Sequence, residues 1–281
     1  MIEVTVITVS KELTSGLIAT LRSVQNQETN FKHILIDGSH NLELEEYVSQ
    51  HFPQVRVERQ KANGIYSAMN YGISKVPDTD NVIFLNASDF FLGASRLARL
   101  NEIAQADRTW AYGGVISFSP DDSYSRILGL ENFSGKAFIR GQVLIPHPST
   151  IIPVLWIKEL GGFNEKFSIV ADIELAYRIF KKYGPPKHFK NLVSGHEIGG
   201  VSTTNLSRQT REIRVARLIN FPIATFTSIS RKLFFPARPG IELELNGYRV
   251  ANDAALHYKS CQKNLNFPNC CREKLLKLGS I

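Results

Sequence analysis

The chain has 281 residues, enough for one large domain or a domain with an appendage, and its 43% apolar and 21% charged content excludes wholesale disorder. The opening MIEVTVITVS lacks the basic region and cleavage site of a secretory leader, no uncharged apolar run reaches the roughly 18 residues of a spanning helix, and Cys261, Cys270 and Cys271 give no disulfide framework, so a cytoplasmic setting is expected. The net charge of +7 is uneven: residues 205–281 hold 13 Lys and Arg against 5 Asp and Glu, so the positive excess lies wholly there and an anionic partner is expected for that segment.

In chain order, Val4, Val6 and Val9 belong to a β-branched run that predicts a strand. Leu17, Leu21 and Val24 then fall at helical spacing. His33 to Ile36 is a short apolar strand, Leu42 to Val48 suits a helix, and Val55 and Val57 alternate as a third strand. Ile65, Met69, Ile73 and Val76 line one face of a helix beginning near Asn63, and Val82 to Leu85 is a fourth strand. Such alternation predicts an α/β fold, a mainly parallel sheet with helices on both faces. Every predicted strand ends in polar residues: Ser10-Lys11-Glu12, Asp37-Gly38-Ser39, Arg59 to Asn63, and Asn86 to Asp89. In an open α/β sheet these ends share the edge where ligands bind.

Past residue 110 the pattern loosens. Trp110 to Phe118 and Val143 to Ile145 read as strands, Pro153 to Leu160 and Ile173 to Lys182 as helices. A Ser/Thr/Asn-rich stretch near 204 predicts a seam, dividing a domain of residues 1–204 from a basic, mostly helical extension of residues 205–281.

Six stretches in order, "VTVITVS", "ILIDGS", "GIYSAMNYGI", "FLNASDFF", "LGGFNEKFSIVADIELAYRIFKK" and "GGVST", carry a resemblance. Over residues 2 to about 204 the chain resembles glycosyltransferase family 2, the inverting enzymes of GT-A (Rossmann-like) fold that use nucleotide-diphosphate sugars. The resemblance implies nucleoside contact at Asp37 and further donor contacts at Val9, Ser10, Asn63, Gly64 and Asn70. "FLNASDFF" is similar to a variant Asp-x-Asp segment, which implies a divalent metal (Mn²⁺ or Mg²⁺) on Asp89, with Asn86 as oxygen donor and Ser88 beside the donor. His196 would close the metal sphere and His147 would sit near the acceptor. Gly161 and Gly162 would let backbone approach the donor sugar, although a helix C-cap explains a glycine there equally well.

Asp172 is the implied general base, taking the proton of the acceptor hydroxyl as it attacks the anomeric carbon. Its predicted place at a helix N-terminus, where the dipole complements negative charge, is also that of a plain N-cap. Relatives resembling this chain carry acids at the positions of Ala62, Ser67 and Ser88, so a binding-only descendant of the same fold stays open as a second reading. A dinucleotide oxidoreductase is disfavoured because "VSKELTSG" lacks the glycine fingerprint. His257 and the three cysteines match no common zinc spacing.

Residues 214–240 interleave Arg214, Arg217, Arg231, Lys232 and Arg238 with bulky apolar residues such as Phe234 and Phe235. That composition suits an interfacial segment on anionic lipid, or a core-packing helix with a basic outer face; no recognition motif accompanies it, so nucleic acid is not an expected partner. Together these features predict a peripheral enzyme at the inner face of the membrane, passing a sugar to a lipid-linked or glycan acceptor in surface polysaccharide assembly.

Overall fold

The computed structural model of the protein describes residues 3–61, 63–118, 125–197 and 205–222. The four strands expected first all form: β1 (Val4–Ser10), β2 (Phe31–Asp37), β3 (Val55–Arg59) and β4 (Asn81–Phe84). They lie parallel in the order β3-β2-β1-β4, linked by α1 (Ser15–Gln25), α2 (Glu43–His51) and α3 (Ile65–Ser74). Thr14 caps α1 by accepting the Leu17 N–H at 3.1 Å, satisfying a donor that helix geometry leaves free.

Successive strand residues serve opposite faces, and both faces are buried, as a parallel sheet requires. Ile7, Val9, Ile34, Ile36, Val82 and Phe84 pack with Met69 and Ile73 of α3. Leu35 turns the other way onto Leu17, Leu21, Leu44 and Val48 of α1 and α2. Each such burial contributes roughly 1.5–3 kcal/mol. The register sets Ser10 beside Asp37 and Asp37 beside Arg59, so the polar ends of β1, β2 and β3 stand level.

The rest of the sheet is mixed. Its elements are β5 (Asp89–Phe91), α4 (Arg96–Ala106), β6 (Ala111–Phe118), β7 (Ser125–Leu128), α5 (Gly135–Ile139), a 3₁₀ turn (His147–Ser149), β8 (Thr150–Pro153), α6 (Val154–Glu159), α7 (Ala171–Tyr183) and β9 (Lys187–Glu197). The sheet continues from β4 through β8, β6 and β9 to β5, with β7 paired to β6. β8 runs antiparallel to both β4 and β6, β9 is parallel to β6, and β5 is antiparallel to β9.

One sequence expectation needs correction. Val143 to Ile145 is a loop, not a strand: Val143 and Ile145 are buried and Leu144 is exposed, but Pro146 and Pro148 follow, and proline cannot donate to a ladder. Phe90 and Phe91 are buried in β5, an edge strand too short to show a periodicity of its own.

A last helix, α8 (Leu206–Asn220), packs back onto the domain. Its Asn220 amide donates to Glu174 of α7 at 3.3 Å and its Arg217 Nε donates to the Ile139 carbonyl at 3.0 Å. The "GGVST" stretch, Ala62, His257, the three cysteines and the basic run beyond 222 lie outside the described residues. Among the described residues no helix is long and apolar enough to cross a membrane.

Candidate active site

The centre of the site is a short chain of ionisable side chains running from β5 to α7. His147, in the 3₁₀ turn, places Nδ1 3.5 Å from Asp172 Oδ2 and Nε2 3.9 Å from Asp89 Oδ2. The Asn86 amide stands 3.2 Å from the same Nε2. Four residues separated by up to 86 positions, all picked out from sequence, thus meet at one point. Phe84, Trp110, Ile145, Ile152 and Phe163 line an apolar cavity together with His147 and Asp172.

Asp89 begins β5 and closes the turn after β4 by accepting the Asn86 backbone N–H on Oδ2 at 3.0 Å. That turn is tight: Ser88 sits in the left-handed region at φ 78°, and its N–H donates to Thr20 Oγ1 at 3.0 Å, while the Thr20 hydroxyl also lies 3.2 Å from the Asn86 carbonyl. Burial pushes the Asp89 carboxyl up to about 6, against the opposing pull of the His147 charge and the Asn86 N–H. The "NASD" stretch is therefore a strained turn that holds a reluctant charge, a feature a cation would relieve.

His196 of β9 stands directly across from Asp89 in the antiparallel register and across from Ser117 on the other side. Its Nδ1 is 3.0 Å from the Ser117 hydroxyl. Burial, with a smaller contribution from the His147 charge, lowers its pKa to about 4, so the ring is neutral and Nε2 can act as a ligand. The Asn86 Oδ1 is buried with no protein partner. Asp89, Asn86 and His196 therefore suit a divalent ion chemically. Among the described residues no group of three or more His, Cys, Asp or Glu forms a metal cage, so an ion here would draw part of its shell from phosphate oxygens.

Asp172 is the second residue of α7, whose N-cap Val170 offers no capping side chain. Its Oδ1 lies 3.1 Å from the Tyr66 hydroxyl, which is also 2.6 Å from the Ile169 carbonyl. Burial, then the Asp172 charge, raise the Tyr66 pKa, so the phenol stays a donor. Burial opposes charge on His147, but the hydrogen bond and charge of Asp172, with Asp89 beyond, outweigh it and hold this imidazole above its ordinary value. Asp172 is thus held between the His147 ring and the Tyr66 phenol, contacts that a solvated helix cap would lack.

On the donor side, Ser10 accepts the Gly38 N–H on its carbonyl at 2.8 Å, and Asp37 Oδ1 accepts the Ser39 N–H at 2.7 Å. Asp37 Oδ2 is buried without a hydrogen bond, 3.7 Å from Arg59 Nε. Arg59 is thus its ion-pair neighbour, level with the other polar strand ends. Val9 is buried in the core, so it would offer a ligand backbone alone. Gly64, at φ 106°, starts α3 with open space where a Cβ would project, and Asn63 precedes it.

In the structure the glycine pair takes the helix-ending role that the sequence offered as an alternative, and Asn70 packs beside it. The Gly161 N–H reaches the Lys158 carbonyl and the Gly162 N–H the Ile157 carbonyl, the paired bonds of a Schellman ending to α6, with both glycines at positive φ. Asn70 spends its amide on the same loop, donating to the Phe163 carbonyl at 3.0 Å and Glu165 at 2.8 Å and accepting the Phe163 N–H at 2.7 Å. These three residues fix Phe163 against the cavity; their donor contacts stay an expectation. Sequence reasoning missed Tyr66 and Thr20. Tyr66 stood inside a quoted motif, but nothing local distinguishes a phenol that reaches across 106 positions to Asp172.

Comparison with known proteins identifies the family. Residues 5–157 match the family described as Glycosyl transferase family 2, and the chain belongs to that family. Two proteins of Mycobacterium tuberculosis, each described as an uncharacterized glycosyltransferase, are 29% identical over 184 residues, spanning 62% of this chain and 68% of theirs. Among solved structures, the S. aureus TarS 1–349 crystal structure aligns at TM-score 0.58 and 13% identity, covering 92% of this chain and 81% of that one. The same fragment in complex with UDP-GlcNAc aligns at TM-score 0.61 and 11% identity, with the same coverage. These likenesses show the fold.

Proposed function

We propose that the protein is an inverting glycosyltransferase taking its sugar from a nucleotide-diphosphate donor. The observation that carries this reading is the meeting of Asp172, His147 and Asp89 at the edge where Asp37, with an Oδ2 that makes no hydrogen bond, also stands. Asp37 would take a donor N–H or O–H of the nucleoside, as a buried acceptor without a hydrogen bond invites. A divalent ion on Asp89 and Asn86, with His196 alongside, would neutralise the diphosphate as it leaves. Asp172 would remove the acceptor's proton, and His147 beside it would orient that carboxylate and the incoming hydroxyl. The UDP-GlcNAc complex of TarS makes a uridine donor the first to try.

A thermal-shift screen against UDP-, GDP- and dTDP-sugars, with and without manganese, tests the reading. The right donor at one hundred times Kd should stabilise by about 2.7 kcal/mol. No shift with any nucleotide would sink it. A shift without turnover would favour the second reading, a binding-only descendant, for which Ser67 and Ser88 in place of acids speak.

The acceptor we assign is a lipid-linked or glycan chain of a surface polysaccharide, reached from the inner face of the membrane. Its support is the basic, aromatic composition beyond residue 204, for which vesicle co-sedimentation is the check. Binding to anionic but not neutral vesicles, weakened by salt, is expected; equal sedimentation with both contradicts it.

A further inference from the structure

The segment that carries the base is held by a residue from beyond the predicted seam. Glu212 of α8 gathers four donors from the three residues that lead into α7. Its Oε1 accepts the Ser168 N–H at 3.3 Å and the Ser168 hydroxyl at 2.8 Å, and its Oε2 accepts the Ile169 N–H at 2.9 Å and the Val170 N–H at 3.3 Å. Arg208, one turn earlier on α8, donates Nε to the same Oε1 at 3.0 Å.

These backbone groups need a partner from elsewhere. Val170 as N-cap brings no side-chain acceptor, and Ile169 and Val170 are buried, so their N–H groups cannot turn to water. A carboxylate is the acceptor that serves two converging pairs of donors at once. On the opposite side, the Ile169 carbonyl faces the Tyr66 hydroxyl at 2.6 Å, the group that also touches Asp172. The peptide two residues before the base is therefore gripped through its N–H groups by α8 and through its carbonyl by α3.

We propose that Glu212 is a positioning residue for the transfer reaction, setting Asp172 at its working angle by holding the 168–170 backbone. This rests on the assignment of Asp172 as base. It also gives the segment after residue 204 a part in catalysis that is separate from docking. Misplacing a reacting group by about 1 Å costs on the order of 100-fold in rate, so a loosened loop should show in turnover while the donor subsite on β1 and β2 is untouched.

The test compares full-length wild type with Glu212→Gln, Glu212→Asp and a control, Arg211→Ala, on the exposed side of the same helix. Gln keeps the shape but turns an NH₂ group toward two N–H donors. Glu212→Gln is expected to lower kcat at least about tenfold with donor KM within about twofold, measured well below its melting temperature, while Arg211→Ala leaves both unchanged. Hydrogen exchange at 168–172 should quicken, and a crystal structure of the variant should show Asp172 withdrawn from Tyr66. Should Glu212→Gln not fold, Glu212→Asp, which keeps both oxygens on a shorter stem, gives the same readings. A lower melting temperature with kcat unchanged overturns the proposal and leaves Glu212 a purely structural clamp. If wild type turns over no nucleotide-sugar, the transferase reading fails; the crystallographic position of Asp172 in the variant still decides whether Glu212 sets it.

Discussion

The two halves of the sheet solve the same problem by different means. In the parallel half, residues 3–85, each polar strand end sits where its own strand leaves it, and neighbouring strands need only stay in register to bring Ser10, Asp37 and Arg59 level. In the mixed half, residues 86–197, hardly any functional group is placed by its own element. Asp89 needs β9 opposite it, His147 needs β8 and β6 to hold its turn, and Asp172 needs Tyr66 from the other half. The first half presents a ligand edge; the second assembles the chemistry upon it. A platform can be local, but a base must be aimed from several directions.

If that contrast is right, rigid backbone should matter most where long-range clamps meet. Gly162 stands at φ 77°, and a Cβ there would come within 2.5 Å of Asn70 Oδ1. Three hydrogen bonds prevent Asn70 from swinging aside. Backbone strain and overlap together predict that Gly162→Ala loses about 3 kcal/mol, read as a lower urea midpoint at unchanged m-value. Full stability in this variant would break the claim that the loop is a clamp.

The parallel half carries a pH response of its own. Burial drives the His33 pKa down to about 3, while its ring keeps a 2.9 Å contact with Thr8 Oγ1. The unfolded chain binds that proton near 6.5 and the folded chain does not, so the stability from a neutral His33 is complete above 6.5 and lost as pH falls toward 3. At pH 5 the loss is about 2 kcal/mol, at about 1.4 kcal/mol per pH unit. Unfolding series between pH 5 and 7 on wild type and His33→Gln should show a shallower slope in the variant. Parallel slopes would mean that His33 is not buried as a neutral ring.

The smallest effect sharpens the first. Gly161→Ala has the same sign of φ, 79°, but no atom within 4 Å of its Cβ. It should cost only about 1 kcal/mol, the strain alone. A loss equal to that of Gly162→Ala would show that left-handed backbone, not the Asn70 contact, governs the loop.

How much of this was legible follows the same division. The alternation of Val4 to Leu85 gave four strands and their common edge, because β1, β2 and β3 are each followed by their own helix and β4 is an unbroken buried apolar run. Val143 to Ile145 misled because two buried side chains around an exposed Leu144 imitate a strand whose proline neighbours forbid it. β5, of three residues, is too short for any periodicity to register. Asp89, His147 and Asp172 were found as motif residues; their contacts were not, since spacing along the chain says nothing of what meets across a sheet. The glycine pair shows the converse, motif residues whose visible work in the structure is to end a helix, with Asn70 holding the loop that follows.

The central claim is that Asp172 is the base and that donor binding belongs to the other half of the sheet. It is tested most directly by Asp172→Asn, with transfer from the stabilising nucleotide-sugar measured beside calorimetric affinity for that same donor. The amide keeps the shape and the Tyr66 contact but cannot take a proton. The account predicts a rate lower by about 100- to 10,000-fold with donor Kd within a few-fold of wild type. Wild-type turnover in the variant, or a loss of donor affinity equal to the loss of rate, would contradict it.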